Sequence, residues 1–368
     1  MMSHPRITVL MTVFNGGDYL RHSVEAVLNQ SYRDFEFLIV NDASKDDSLE
    51  TIHSYKDARI KVITNPQNLG QTASLNIGLR EASGQYVARI DADDIVYPPW
   101  LEKQLGFIDQ HPHCAVASMR AVVINTHHQI IKELNSPTSP EEIILKSIFA
   151  SPINHVGCLM RKKTILDAGG YDEQYKIVAD YGLWCKLIHR KEFILSNPVI
   201  LVAVRAHPQS ISMLEADKRV IPEMTDIISQ NVKFWSGITL TQEEITLFWR
   251  LMYAGHSLEL KELMDALRIF KNIYDQWRPG AVETKDIQNF YRRQVRTIFL
   301  KRIWGLIKQN RFSSVKESAL LYIKMYGSLN IFSGIWLLSF LGMPLVALVS
   351  IYERLLVSRA EQKVSRYE

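Results

Sequence analysis

The stretch Tyr86-Val87-Ala88-Arg89-Ile90-Asp91-Ala92-Asp93-Asp94 decides the fold. Its apolar run predicts a buried strand, and the strand ends abruptly in three carboxylates. Because side chains alternate along a strand, we expect Asp91 and Asp93 to point the same way and Asp94 to point away. Two adjacent carboxylates suit a hard divalent cation, Mn²⁺ or Mg²⁺, with phosphate oxygens completing its shell. A solvated acidic turn is the alternative.

The segments before this stretch alternate between strand-like and helix-like patterns. We predict strands at residues 7–14, 35–40 and 60–63, and helices at 19–29, 45–55 and 72–81. This alternation favours an α/β fold with a mainly parallel sheet, in which ligands bind beyond the carboxyl ends of the strands. Those ends carry polar or acidic residues at 12–15, 41–42 and 91–94, which predicts one common site.

The residue types at these strand ends limit the kind of site. A GxGxxG fingerprint is absent from the sequence, so a cation rather than a glycine-rich helix start must neutralise bound phosphates. Asp42 could accept the ring N–H of a uracil, thymine or guanine, and Phe14 could lie against the base. Asp42 could instead form an Asx turn or cap a helix that starts at Ser44.

Residues 6–110 resemble an inverting family 2 glycosyltransferase of the GT-A fold. Four motifs carry the resemblance, namely Ile7 to Asn15, Leu38 to Ser44, Asn68 to Gly78, and the DxD-type motif Ala88 to Asp94. The resemblance implies that Thr12, Phe14, Asp42, Asn76, Asp91 and Asp93 bind the nucleotide-sugar. It also implies that Asp93, with Asp91, binds the metal.

Residues 150–212 extend this resemblance to the acceptor half of the domain. Val178 to Trp184 resembles the family's Glu-Asp motif, which implies that Asp180 is the catalytic base, although Ala179 replaces the glutamate. His207 would reach the metal or a phosphate, and His155, Trp184 and Arg205 would line the acceptor or phosphate side. The alternatives are structural histidines and an N-cap role for Asp180 in a helix at 181–188.

Composition and cysteines narrow the class of protein. The 368 residues are 47% hydrophobic and 22% charged, as in an ordered globular protein. Residues 1–212 hold 21 basic and 23 acidic residues, so the excess of positive charge lies in the remainder. Three dispersed cysteines predict neither a disulfide framework nor a structural zinc site and favour the cytosol. The N-terminal residues do not resemble a signal peptide.

The C-terminal third has a helical pattern and predicts a membrane contact. We divide the chain into a GT-A catalytic domain at 1–212, a helical extension at 213–290 and membrane-associating helices at 291–368. Seven basic residues interleave with apolar ones in the first of these helices (Arg292, Arg293, Arg296, Lys301, Arg302, Lys308 and Arg311). This pattern is typical of a membrane-surface helix, with a solvated basic face as the alternative. Nucleic-acid binding is disfavoured because no recognised module accompanies the charge.

Residues 325–352 hold no charged residue and are interrupted by Gly342-Met343-Pro344. A re-entrant or interfacial helix pair, a single span and a buried oligomer helix all fit this run, and the first two put residues 291–358 at the membrane.

These patterns together predict an inverting, metal-dependent glycosyltransferase at the cytoplasmic membrane face. Its donor would be a nucleotide-diphospho-sugar, with a UDP-sugar favoured. Its acceptor would be a saccharide, either lipid-linked or a growing surface polysaccharide. A processive synthase is disfavoured because the sequence lacks a Gln-x-x-Arg-Trp motif. The alternative is a catalytically silent relative that binds nucleotide-sugars or acts as a scaffold, which the Ala179 departure favours.

Overall fold

The computed structural model describes residues 5–134, 136–210, 219–253, 258–277 and 284–308. The chain divides into two compact units, the first ending at Ile227 and the second starting at Ile228. The hydrophobic run at 325–352 and the basic residues beyond 308 lie outside the described residues.

The first unit is built on a mixed sheet that, in the described residues, has nine strands. Four neighbouring strands are parallel, in the order β3-β2-β1-β4. Their bounds are β1 (Ile7–Val13), β2 (Phe35–Asn41), β3 (Ile60–Thr64) and β4 (Tyr86–Asp91). β1 lies between β2 and β4, so that Thr12 of β1 lies opposite Val40 of β2 on one side and Asp91 of β4 on the other. The parallel sheet predicted from the alternating pattern is therefore confirmed.

The other half of the sheet is mostly antiparallel. It continues from β4 through β8 (Leu159–Arg161), β6 (Cys114–Ile124), β9 (Phe193–Arg205) and β5 (Ile95–Val96), and β7 (Ile130–Leu134) also pairs with β6. β8 runs against both β4 and β6, and β9 is parallel to β6. The ends of β4, β6 and β9 consequently meet at one edge, the edge that carries Asp91 and Arg205.

Helices cover both faces of this sheet. They are α1 (Leu20–Leu28), α2 (Ser48–Ser54), α3 (Gln71–Glu81), α4 (Trp100–Gln110), α5 (Pro140–Lys146), α6 (Lys162–Asp167) and α7 (Ala179–His189). Every residue of β1 is buried, as expected of a strand covered on both faces. The loop before β4 crosses β1 so closely that a Cβ on Gly84 would lie 2.5 Å from the backbone nitrogen of Thr8. A larger residue at position 84 would therefore force a shift of the backbone.

The second unit is helical where it is described. The helix α8 (Ile221–Ser236) contains the boundary between the units and is followed by α9 (Gln242–Tyr253), α10 (Leu260–Asp275) and α11 (Thr284–Lys308). Phe248 and Phe270 are completely buried, and the rings of Trp235 and Trp277 stack at 5.0 Å. Among the described helices, none has both the length and the apolar content needed to cross a membrane.

The helix α11 is covered by protein along the part whose apolar side chains are described, and its membrane contact stays a prediction. Val295, Ile298 and Phe299, three of the apolar residues that interleave with the basic ones, are at most 5% exposed. Arg302 is also buried and donates a hydrogen bond to the carbonyl of Leu258. Protein covers these apolar residues, whereas Arg292 and Arg296 on the same part of the helix are exposed to solvent.

Candidate active site

Three carboxylates converge at the carboxyl edge of the sheet. Asp91 ends β4, Asp93 lies in the following turn and Asp94 immediately precedes β5. One oxygen from each lies within 4.8 Å of the others. The expectation that Asp94 points away is wrong because the strand ends at Asp91, so strand alternation no longer orients the residues after it.

Burial and mutual repulsion disfavour the charged forms of two of these carboxyls. Burial and the neighbouring Asp91 raise the pKa of Asp93, although its hydrogen bond with His207 opposes the shift. Burial, Asp93 and Asp91 raise the pKa of Asp94 well above its usual value. A cation would relieve this repulsion. Three clustered carboxylates are also the oxygen donors that Mn²⁺ and Mg²⁺ prefer, so these residues fit such an ion.

Arg89, on the same strand as Asp91, brings a positive charge to this cluster. It lies two residues before Asp91 on the same face of the strand, is 2% exposed and forms a salt bridge with Asp91. Burial lowers the pKa of Arg89, but the attraction of Asp91 outweighs burial and raises it. Sequence reasoning missed this residue, although the two-residue spacing within one strand was a usable signal.

The end of β9 completes the cluster from the other side. The backbone N–H of Arg205 donates to Asp94 Oδ1 (2.8 Å), and its Nε donates to the carbonyl of Asp93 (2.9 Å). The guanidinium lies over the ring of Tyr19 at 4.6 Å. Arg205 is 3% exposed, and within the described residues neither Nη1 nor Nη2 has a hydrogen-bond partner. A buried cation with free donors is suited to bind an anion.

His207 also contacts the acidic cluster. Its Nε2 lies 2.9 Å from Asp93 Oδ2, and its ring lies 4.9 Å from the ring of Tyr19. His207 therefore lies beside Asp93, a predicted metal ligand. Among the described residues, however, the group close enough together to share one ion consists of Asp91, Asp93 and Asp94. Direct ligation by His207 stays a prediction.

Asp42 anchors the loop that precedes α3. It is buried, and it accepts hydrogen bonds from Asn65 Nδ2 (2.7 Å) and from the backbone N–H groups of Leu69 and Gly70 (both 2.8 Å). The N–H of Ser44 donates instead to the side chain of Asn41, so the Asx-turn alternative belongs to the neighbouring residue. Three of the four acceptor positions of the Asp42 carboxylate are occupied, which leaves one for a base N–H.

The same loop connects Asp42 to the carboxylate cluster. Gln71, the residue after Gly70, donates its side-chain N–H to Asp91 at 3.0 Å. Phe14 follows β1 and is 46% exposed, whereas Thr12 is buried beside Asp91 in the sheet. The structure thus brings together four of the residues predicted to hold the nucleotide-sugar, and their contacts with it stay predictions.

Asp180 lies in the first turn of α7. Its Oδ2 accepts a hydrogen bond from Ser151 Oγ at 3.2 Å. Burial raises the pKa of Asp180, and Asp91 acts in the same direction, whereas the N–H of Tyr181, Arg89 and Ser151 oppose the shift. The helix begins at Ala179 with Val178 as its N-cap, so the N-cap alternative for Asp180 is wrong. A half-buried carboxyl in electrostatic reach of Asp91 is suited to accept a proton.

The remaining predicted residues form one buried wall around Tyr171. Asn76 donates to the carbonyl of Tyr171 (2.9 Å) and accepts from its N–H (2.9 Å). His155 Nε2 lies 2.7 Å from the Tyr171 hydroxyl, and the ring of Trp184 packs against His155. Burial, with Arg89, lowers the pKa of His155 well below its usual value. These contacts give Asn76, His155 and Trp184 a structural part, and contacts with ligands stay predictions.

Comparisons with known proteins show which family and fold the chain resembles. The family model described as Glycosyl transferase family 2 matches residues 8–170. An uncharacterized glycosyltransferase of Haemophilus influenzae is 30% identical over 223 residues, which are 58% of this chain and 69% of that protein. The amylovoran biosynthesis glycosyltransferase AmsE of Erwinia amylovora is 27% identical over 204 residues, covering 54% and 76% of the two chains. The crystal structure of TarS residues 1–349 from S. aureus, in complex with UDP-GlcNAc, shares the fold with a TM-score of 0.53. It is 17% identical, and the match covers 80% of this chain and 90% of that one.

Proposed function

The chain belongs to glycosyltransferase family 2, and from this premise we propose an inverting, metal-dependent transfer of a sugar from a nucleotide-diphospho-sugar to a saccharide hydroxyl. One observation carries the proposal. The carboxylates of Asp91, Asp93 and Asp94 converge beside Arg205, a buried cation whose terminal nitrogens have no hydrogen-bond partner among the described residues. A metal-bound diphosphate has the two charges that complement such a pair.

The acidic cluster would hold Mn²⁺ or Mg²⁺, with Asp93 and Asp91 as the principal ligands and His207 beside them. When bound, such a cation stabilises the negative charge that develops on the leaving diphosphate. Arg205 would donate from Nη1 and Nη2 to the same diphosphate, and it is held in place by its bonds to Asp93 and Asp94. Burial of this guanidinium strengthens its attraction for a phosphate oxygen.

Asp180 would take the proton of the acceptor hydroxyl as that oxygen attacks the anomeric carbon. Its raised pKa makes the ionised carboxylate a stronger base than an ordinary aspartate. Ser151 and the N–H of Tyr181 fix its orientation and leave acceptor capacity free for the incoming hydroxyl. A single displacement from the face opposite the leaving group inverts the anomeric configuration.

One acceptor position of Asp42 and the exposed ring of Phe14 suit a base that carries a ring N–H, as uracil, thymine and guanine do. Among such donors we favour a UDP-sugar, and the donor panel below distinguishes the three. A saccharide of a surface polysaccharide, free or lipid-linked, is the favoured acceptor. The family relative named for amylovoran biosynthesis supports this choice. The exposed Arg292 and Arg296 on α11 support a location at the cytoplasmic membrane face.

A donor panel tests the proposal directly. UDP-, GDP- and dTDP-sugars with Mn²⁺ or Mg²⁺ are screened by thermal shift and by nucleotide release. Asp93→Ala should abolish cation-dependent nucleotide binding, and Asp180→Asn should lower turnover about 10²- to 10⁴-fold while leaving binding intact. Asp275→Asn on α10 is the matched control, since the exposed Asp275 carboxylate pairs with Lys271 of the same helix.

The outcomes separate the proposal from its rival. Nucleotide-sugar binding without turnover by the wild-type chain would support the catalytically silent alternative. Wild-type turnover by Asp180→Asn would remove Asp180 as the base.

A further inference from the structure

The loop that leads into α7 is held by a carboxylate from another helix. Glu223, in the first turn of α8, accepts hydrogen bonds from the backbone N–H groups of Lys176 and Ile177 (both 2.9 Å) and of Val178 (3.1 Å). Val178 is the N-cap of α7 and makes no side-chain cap. One side chain therefore takes three consecutive N–H groups immediately before the helix that carries Asp180.

A second set of contacts holds the same loop at Tyr175. Its hydroxyl donates to Asp226 Oδ2, one turn after Glu223 on α8, at 2.7 Å. Its carbonyl accepts from Thr72 Oγ1 on α3 at 2.7 Å. A Cβ on Gly182 would lie only 3.0 Å from the Tyr175 ring, so α7 packs directly on this residue. The loop is thus fixed from two sides, and it fixes the start of α7.

Charge explains why a carboxylate is suited to this position. The N–H of the N-cap Val178 has no intrahelical partner, and the N–H groups of Lys176 and Ile177 lie directly before it, where the helix dipole is positive. A negatively charged acceptor forms stronger hydrogen bonds with them than a neutral one does. The chain has Ala179, 5% exposed, where the motif it resembles has a glutamate. The acid in contact with this turn comes instead from α8.

We propose that Glu223 is a positioning residue for Asp180, holding the start of α7 so that the Asp180 carboxylate meets the acceptor hydroxyl. The inference rests on the proposed role of Asp180 as base. Glu223 acts through the backbone at 176–178, two to four residues before Asp180, and its described hydrogen bonds do not involve the acidic cluster. Its loss should therefore change the catalytic step and leave donor binding unchanged.

Two variants and a matched control test this role. Glu223→Ala removes the acceptor, and Glu223→Gln keeps one neutral acceptor oxygen. Glu243→Gln makes the same change in the first turn of α9 in the other unit. The measurements are kcat and KM for the UDP-sugar that the donor panel selects, the affinity for UDP with Mn²⁺, and amide hydrogen exchange over residues 175–182.

We expect Glu223→Ala to lower kcat about 10- to 100-fold, the range seen when a reacting group is slightly misplaced. The kcat of Glu223→Gln should lie between those of Glu223→Ala and the wild type. The donor KM and UDP affinity should stay within about 2-fold in each variant, and exchange at 176–178 should accelerate. Glu243→Gln should match the wild type.

Two results would overturn the inference: wild-type kcat in Glu223→Ala, or a kcat loss accompanied by an equal loss of UDP affinity. Asp180→Asn distinguishes this failure from failure of the proposed base. If Asp180→Asn is inactive while Glu223→Ala keeps full kcat, only the positioning role is wrong. If Asp180→Asn is fully active, the proposed base is wrong.

Discussion

Replacing Asp94 with asparagine should stabilise the metal-free protein at neutral pH while weakening its response to Mn²⁺. Asp94 is 2% exposed, and its Oδ1 accepts the backbone N–H of Arg205. Asparagine keeps an oxygen for that hydrogen bond and nearly the same volume. The substitution therefore removes mainly one negative charge from a cluster of three.

The size of the effect follows from the spacing of the carboxylates. Two unit charges 4.8 Å apart repel by about 3.5 kcal/mol at an effective dielectric constant of about 20. Keeping an aspartate neutral in the folded state at about pH 7 costs at most about 4 kcal/mol, because its unfolded pKa is about 3.9. The salt bridge between Arg89 and Asp91 offsets part of the repulsion. We therefore expect Asp94→Asn to raise the free energy of unfolding of the metal-free protein by about 1–3 kcal/mol at neutral pH.

The sign of the pH dependence is fixed by the direction of the pKa shift. Burial and the two neighbouring carboxyls raise the pKa of Asp94 in the folded state. A carboxyl with a raised folded pKa contributes stability below its unfolded pKa, and that contribution is lost as pH rises through the folded value. The variant has no such loss, so its advantage should be small at about pH 4 and should grow as pH rises.

Urea unfolding in EDTA, at about pH 5 and about pH 8, measures this difference. Thermal shift with added Mn²⁺ then compares metal binding in the two proteins. Asp109→Asn is the control, since the exposed Asp109 carboxylate pairs with Arg6 at the surface and should change stability by less than about 1 kcal/mol. A variant less stable than the wild type at about pH 8, or one with equal gains at both pH values, would refute the electrostatic account.

Three further predictions follow from other contacts. Gly84→Ala should lower the free energy of unfolding by about 1–3 kcal/mol, measured by urea titration, because its Cβ meets the Thr8 backbone; an unchanged midpoint would contradict this close approach. Arg205→Leu should reduce turnover of the selected donor about 10²- to 10³-fold, and Arg205→Lys less, with wild-type turnover in Arg205→Leu excluding the diphosphate role. Replacing both Arg292 and Arg296 with glutamate should weaken the free energy of binding to vesicles that contain anionic lipid by about 1 kcal/mol or more per residue, measured by co-sedimentation. Unchanged co-sedimentation would exclude these arginines from the membrane contact.

The sequence was most informative where local pattern and fold agree. Alternating strands and helices predict a parallel sheet, and a parallel sheet brings the ends of its strands to one edge. This is why Thr12 and Asp91, which are far apart in the chain, could be assigned to one site and are found as neighbours. The predicted ends of the first helices and strands differ from the observed ones by at most a few residues.

A sequence pattern is informative only within the helix or strand that produces it. Alternation oriented Asp91 but not Asp94, since β4 ends between them. The apolar stripe of α11 resembles a lipid-facing surface in sequence, yet Val295 and Phe299 are buried within the second unit. Periodicity identifies an apolar face and does not identify what covers it. Similarly, the contact of Arg205 with Asp94 depends on β9 reaching the edge of the sheet, which no local signal predicts.

Arg89 shows why part of the site could not be assigned residue by residue. It lies inside an apolar strand, where a charge is costly unless paired, and its partner Asp91 is itself a candidate metal ligand. Its positive charge opposes the rise in the pKa of Asp94 and of Asp180, and it adds to the lowering of the pKa of His155 by burial. It therefore acts on the acidic cluster, the buried wall and the candidate base together. The acid that would bind a cation and the acid that would accept a proton are therefore balanced by one buried guanidinium. Burial raises the pKa of Asp94 and of Asp180, and the charge of Arg89 opposes that rise at both residues.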